Sequence, residues 1–302
     1  MEKNLFFKML KLENSTAKTS KTKDNDLVKF IKGFLDENGI EYCSDEIGNI
    51  FNFKNNKPLF CCHTDSMKGT KEDLPESFDS FPLEISEVNG KIFGKKNGKR
   101  AVIGGDDTCG VFILLNLLLK YKDEISFAFF SLEEIGMIGS RLLLGNTELS
   151  DIVRTSPYAI VIDRKGNNNI VCSENNYGTV EFEERLVKIS NEHKLGFGEA
   201  EGYCSDADVV RRYVSTANIS CGYYNAHSKK EYVIFEDVIR TYNFCEKIIE
   251  NIKEKFPPAN GVSLYVSDGI DMLLLEVIKQ SIKKYKGIVS KEEIVEHIKN
   301  CF

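Results

Sequence analysis

The segment FCCHTDSM, residues 60 to 67, sets an imidazole and a carboxylate, His63 and Asp65, two positions apart at the end of an apolar run. Similar groups follow other apolar runs. Asp106 and Asp107 follow AVIGG, Glu133 and Glu134 follow SFAFFS, Asp163 ends YAIVID, and His227 follows ISCGYYNA. If these runs are strands of one parallel sheet, their carboxyl ends open on a single crevice, where α/β proteins bind ligands. Bare carboxylates crowded there would repel one another and lose their hydration. A divalent cation removes that conflict. Two imidazoles with several carboxylates suit zinc, with cobalt or manganese as substitutes, and six or more candidate donors favour two ions over one. Residues i and i+2 of a strand share a face. Asp65 is therefore expected to accept a hydrogen bond from the second ring nitrogen of His63 and to fix its tautomer.

Such a crevice needs strands and crossover helices in alternation. DNDLVKFIKGFLDENGI (24 to 40) has apolar residues at helical spacing and stops at Asn38-Gly39. NIFNFKNNKPLFCCHTD reads as two short strands with a turn at Asn55-Asn56. Residues 81 to 107 carry two Asn-Gly turns between alternating segments, a hairpin region that feeds a loop. Residues 108 to 121 are apolar on nearly all sides, as in a buried helix. Buried strands are predicted at 125 to 131, 158 to 163 and 215 to 224, with a short helix at IGMIGSRLLLG. A long amphipathic helix is predicted at 235 to 256, ended by Pro257-Pro258. The alternation implies an α/β fold with a largely parallel sheet covered on both faces. Residues 1–256 are expected to form the catalytic domain. Residues 257–302, with DMLLLEVIKQSIKKYKG and SKEEIVEHIKNCF, are expected to form a helical extension of unassigned role.

Taken in order, HTD, GGDDTCG, SLEEIGMIGS, VIDR and NAHS resemble the five signatures of the co-catalytic dizinc exopeptidase superfamily. That group includes zinc aminopeptidases, peptidase T-like tripeptidases and N-acyl amino acid deacylases. The resemblance runs from about residue 12 to residue 256. Each signature alone is weak, but five in order, each after a strand, are specific. The resemblance implies a mixed, largely parallel sheet sandwiched between helices, and it implies roles. Asp106 would bridge two metals, His63 and Asp163 would complete one, and Glu134 and His227 the other. Glu133 would be the general base acting on a metal-bridging water; Asp65, behind His63, is expected to be the second catalytic residue. A cis peptide is implied at Asp106-Asp107, where Gly104 and Gly105 ease the turn. Relatives with a lid domain insert it between the aspartate ligand and the last histidine. Here those residues, at 163 and 227, are too close for one, so a lidless, single-domain aminopeptidase plan fits better than a deacylase.

Other residues keep two readings at this stage. Asp107 either caps the helix that starts near Thr108 or otherwise supports the site structurally, or it takes part directly in catalysis. GYCSDADVV (202 to 210) resembles a glycine-small-aspartate loop of the superfamily, so Asp206 either contacts substrate or caps a helix. Tyr177, Tyr203, Tyr223 and Tyr224 are all candidate oxyanion donors. His193 and His297 lie in polar surroundings and read as surface residues.

Composition narrows the partners. The 302 residues are 42% hydrophobic and 28% charged with a net charge of -6, which carries no basic signature of nucleic-acid binding. No run of eighteen apolar residues suggests a membrane span. Nine cysteines without CxxC spacing, and an N-terminus without a signal-peptide pattern, suggest reduced thiols in a cytoplasm. The expected activity is that of a metallo-aminopeptidase on short peptides. An N-acyl amino acid deacylase is the alternative, and a non-catalytic relative of the same fold is disfavoured because the ligand and base positions are intact.

Overall fold

A computed structural model describes residues 1–15, 25–68, 81–202 and 204–259. The expected C-terminal helices, and Tyr203, lie outside these residues. The main sheet has eight strands. In spatial order they are Cys43–Ser44, Ile50–Asn52, Ser126–Phe130, Leu59–His63, Ala159–Arg164, Thr216–Ser220, Asn169–Val171 and Gly198–Glu199. The four central strands run parallel: Leu59–His63 pairs with Ser126–Phe130 and with Ala159–Arg164, and the latter pairs with Thr216–Ser220. Antiparallel pairings join Ile50–Asn52 and Asn169–Val171 to this core. The sheet is thus largely parallel, as the alternation of elements predicts, and mixed, as the resemblance implies.

Both faces of the central strands are covered, which explains their unbroken apolar runs. Phe60, Cys62, Phe127, Phe129, Ile160 and Ile162 enter one core, with the helices Lys3–Leu10, Asp26–Glu37, Gly105–Tyr121 and Phe235–Asn251. Leu59, Cys61, Ala128, Phe130, Ala159 and Val161 enter the other, against Ile138–Gly145 and Ala207–Val210. Helix Gly105–Tyr121 packs on the centre of the sheet, so its burial on nearly every side is structural. Gly110 makes that approach possible. A Cβ there would lie 2.1 Å from the Ile162 carbonyl oxygen and 2.5 Å from Asp107 Oδ2. Gly110→Ala is therefore expected to destabilise the fold by about 1–3 kcal/mol, read as a lower midpoint in urea unfolding.

The hairpin region forms a second sheet, ordered Tyr223–Tyr224, Tyr232–Ile234, Lys91–Lys96, Glu84–Val88, with Lys99–Ala101 also paired to Lys91–Lys96. Both Asn-Gly turns have positive φ at both positions: 50° and 75° at Asn89-Gly90, and 46° and 73° at Asn97-Gly98. That is the hairpin geometry such pairs favour.

Two expectations need correction. The run 215 to 224 is two strands in different sheets, because the chain turns at Gly222, whose φ is 98°. A Cβ there would come within 2.8 Å of the Val238 backbone nitrogen. The long helix ends at Asn251 rather than at the prolines. Ile252 is already extended, and Phe256 then packs its ring 4.9 Å from that of Phe182 and donates its N–H to Pro157 at 2.9 Å. Between Asp163 and His227 the described residues form sheet strands, helix Val180–Glu192 and shorter turns of the same body, and no separate lid. No helix among the described residues is long and apolar enough to cross a membrane.

Candidate metal centre

The fold brings the five sequence segments together. His63 ends its strand, Glu133 and Glu134 follow Ser126–Phe130, Asp163 lies near the end of Ala159–Arg164, and Asp106 opens the central helix. The carboxylate of Asp106 is shared between the two histidines. Its Oδ1 lies 3.1 Å from His63 Nε2 and its Oδ2 lies 3.2 Å from His227 Nε2. Asp163 Oδ1 stands 3.5 Å from His63 Nε2, and Glu134 Oε2 stands 2.9 Å from His227 Nε2. Two half-sites result, His63 with Asp163 and His227 with Glu134, joined by Asp106. Glu133 lies beside them, its Oε2 3.9 Å from His63 Nε2.

Local backbone sets this geometry. The peptide Asp106-Asp107 is cis, as the resemblance implies. Gly104 before it adopts a φ of 70°, a left-handed conformation open to glycine. Asp106 and Asp107 have non-helical φ/ψ within Gly105–Tyr121, so the regular helix begins at Thr108 and Asp107 caps it: its Oδ1 accepts the Gly110 N–H at 3.0 Å, three residues on, and its Oδ2 accepts the His63 N–H at 3.2 Å. Asp107 thus ties the central helix to the strand that carries His63.

Asp65 stands beside the His63 imidazole as expected, but its carboxylate is also engaged elsewhere. His63 Nδ1 lies 3.0 Å from the Asp65 backbone carbonyl oxygen and 3.5 Å from Oδ1 of its carboxylate. The carboxylate also accepts the N–H groups of Glu133 (3.0 Å) and Glu134 (3.2 Å). The strand stops at His63, and Asp65, still beside the imidazole, reaches the loop that follows the neighbouring strand. Asp65 thereby positions both glutamates.

The cluster concentrates titratable groups that could hold a cation. Burial pushes the carboxyls of Glu133 and Asp163 above the usual range, and that of Glu134 up to about 7. Burial also pulls the His63 imidazole down, but the neighbouring carboxylates, Asp163 foremost, outweigh it and hold the imidazole well above its usual value. Hydrogen bonds to Asp106 and Glu134 raise His227 to about 11. These groups are pushed toward their protonated forms, whereas the shared Asp106 carboxyl, although buried, is held well below the usual range by its hydrogen bonds to the two imidazoles. Glu134 Oε1 is also buried without a hydrogen-bond partner, a free ligand atom in a place where such groups are costly. The donor set of imidazoles and carboxylates fits zinc. Ligand atoms of His63, Asp106 and Glu134 lie within 4.8 Å of one another, as do those of His63, Asp107 and Asp163.

A cavity of about 420 Å³ opens on the cluster, lined in part by Asp106, Glu133, Asp163, Tyr223 and His227. Of the three candidate tyrosines among the described residues, only Tyr223 is at the site, donating its hydroxyl to Asp163 Oδ1 at 3.2 Å. Tyr177 donates to Asp208 and Tyr224 to Asp237. Asp206 is buried, and Oδ1 accepts from Ser140 at 2.6 Å while Oδ2 has no partner. Its side chain caps no helix, and it does not line the cavity. His193 is exposed, and His297 lies outside the described residues.

Two supporting residues escaped the sequence reading. Asn218 pairs with the Asp163 backbone in both directions, accepting its N–H at 3.2 Å and donating to its carbonyl at 3.0 Å. Glu231, fully buried, accepts backbone N–H groups from the loop that carries Asp106. Asn218 sits inside an apolar run that reads as plain strand. Glu231 sits in SKKEYVI, which reads as a charged surface turn.

No family model and no curated protein matches the chain. Solved structures do. A TET1 peptidase from Pyrococcus horikoshii aligns with a TM-score of 0.61 at 15% identity, over 81% of this chain and 98% of its own. A tripeptidase from Staphylococcus aureus aligns with a TM-score of 0.62 at 14% identity, over 83% and 97%. The aminopeptidase PepT from Bacillus cereus aligns with a TM-score of 0.59 at 14% identity, over 82% and 96%. At these identities the likeness is one of fold: this chain has the α/β architecture on which those peptidases are built.

Proposed function

We propose that this chain is a dinuclear metallo-aminopeptidase that releases N-terminal residues from short peptides. The observation that carries the reading is the division of the Asp106 carboxylate between His63 and His227, with Glu133 alongside on the cavity wall. His63, Asp106 and Asp163 would hold one zinc ion, and His227, Asp106 and Glu134 the other. Two such ions supply Lewis acidity toward a scissile carbonyl and make water acidic near neutral pH. Glu133 takes the proton of the attacking water and returns it to the departing amine nitrogen as the C–N bond breaks. Burial pushes its carboxyl above the usual carboxylate range. Asp65 holds the Glu133-Glu134 backbone, and Tyr223 and Asn218 hold Asp163. The catalytic unit is the described body up to residue 256. A cytoplasmic setting agrees with the eight described cysteines, all of them free thiols.

The deacylase alternative is weakened by the absence of a lid among the described residues between 163 and 227. Metal analysis combined with a panel of free peptides, N-blocked peptides and N-acyl amino acids decides between them. The expected result is about two zinc equivalents and hydrolysis of free di- and tripeptides only. Hydrolysis confined to blocked substrates would establish the deacylase, and no hydrolysis by zinc-loaded protein would remove the peptidase reading.

A further inference from the structure

Glu231 has zero exposure, and its carboxylate is committed to backbone amides. Oε2 accepts the N–H of Ile103 at 2.9 Å and of Gly104 at 3.0 Å, and Oε1 accepts the N–H of Asp106 at 3.2 Å. Three amides of one loop thus converge on a single side chain. The same segment is held from a second direction. Arg100 donates to the carbonyls of Lys229 (3.3 Å) and Glu231 (3.0 Å). The loop also lies flat against it, since a Cβ at Gly105 would meet Val233 Cγ2 at 2.6 Å and Glu231 Oε1 at 3.3 Å.

The position of Glu231 in the chain gives this clamp a consequence. It stands four residues after His227. One short segment therefore delivers His227 to Asp106 Oδ2 and grips the backbone of Asp106 itself. We infer that Glu231 is a positioning residue for the metal centre, acting through the 103–106 backbone to hold the Asp106 carboxylate between His63 and His227. A carboxylate is the group required there. Each of its oxygens faces donors only, whereas a glutamine that kept the Ile103 and Gly104 bonds would turn its NH₂ toward the Asp106 N–H. That amide would be left buried and unpaired, and the loop would shift to relieve it.

This inference rests on the metal-centre part of the proposed function and on no particular substrate. The test uses the full-length chain and zinc itself as the probe, in competition with a chromophoric chelator. Glu231→Gln is expected to bind at least one zinc equivalent about 10–100-fold more weakly, with kcat falling more than KM rises, while circular dichroism shows the apoprotein still folded. A purely structural role would lower the unfolding midpoint of the apoprotein and leave zinc affinity unchanged, and that result overturns the inference. If the variant does not fold, hydrogen exchange on the wild type decides. The amides of Ile103, Gly104 and Asp106 are expected to gain protection in step with zinc uptake, and exchange indifferent to zinc overturns the coupling. A wild type that takes up no zinc overturns the metal centre as well. A wild type with two equivalents and an unaltered Glu231→Gln overturns this inference alone.

Discussion

Glu133→Gln is expected to lower kcat at least about a hundredfold, or about 2.7 kcal/mol of transition-state stabilisation, while KM and zinc content stay near wild type. The reason is the division of labour at the site. The two histidines are each matched by their own carboxylates, Asp106 with Asp163 for His63 and Asp106 with Glu134 for His227. Glu133 lies farther out, 3.9 Å from His63 Nε2, on the cavity wall. Glutamine keeps its shape and its backbone bond to Asp65 but cannot accept a proton. Loss confined to kcat is the signature of a group acting only in the transition state. Near-normal turnover would transfer the base to another residue, and lost zinc would make Glu133 a ligand.

Asp106→Asn is expected to remove most of the stabilisation that zinc confers. A ligand present at a hundred times its Kd stabilises the native state by about 2.7 kcal/mol for each site, seen as a rise in Tm. Asp106 serves both half-sites at once, so replacing one of its oxygens with an NH₂ group sets a donor against one metal position and removes the shared charge from both. His227→Ala, in contrast, touches one half-site and should leave the other equivalent in place. Thermal melts of apo and zinc-loaded protein, with zinc counted after dialysis, read both effects. An Asp106→Asn protein that retains two equivalents and the full zinc-dependent rise in Tm would mean that Asp106 is not shared.

Much of the fold was legible because it rests on local rules. The strands buried on both faces announce themselves as unbroken apolar runs at 59 to 62, 127 to 130 and 159 to 162. The Asn-Gly pairs mark their hairpins because asparagine and glycine tolerate positive φ. Prediction failed where a distant contact overrode the local pattern. The run 215 to 224 reads as one strand, but the chain breaks at Gly222, where close approach to Val238 leaves no room for a side chain. The last long helix stops at Asn251, ahead of the prolines, and the extended segment after it is anchored by Phe256 on Phe182.

The chemistry of the site divides in the same way. The sequence by itself determined which groups are available and in what order: His63, Asp106, Glu133, Glu134, Asp163 and His227, each following an apolar run. Only the tertiary structure decided which oxygen faces which imidazole, that Asp65 holds the Glu133-Glu134 loop through its carboxylate, and that Glu231 grips the backbone of Asp106. The physical reason is that side-chain type and strand periodicity are local properties. The order of strands across a sheet, and the direction a side chain takes beyond a strand's last paired residue, follow from packing between segments scores of residues apart.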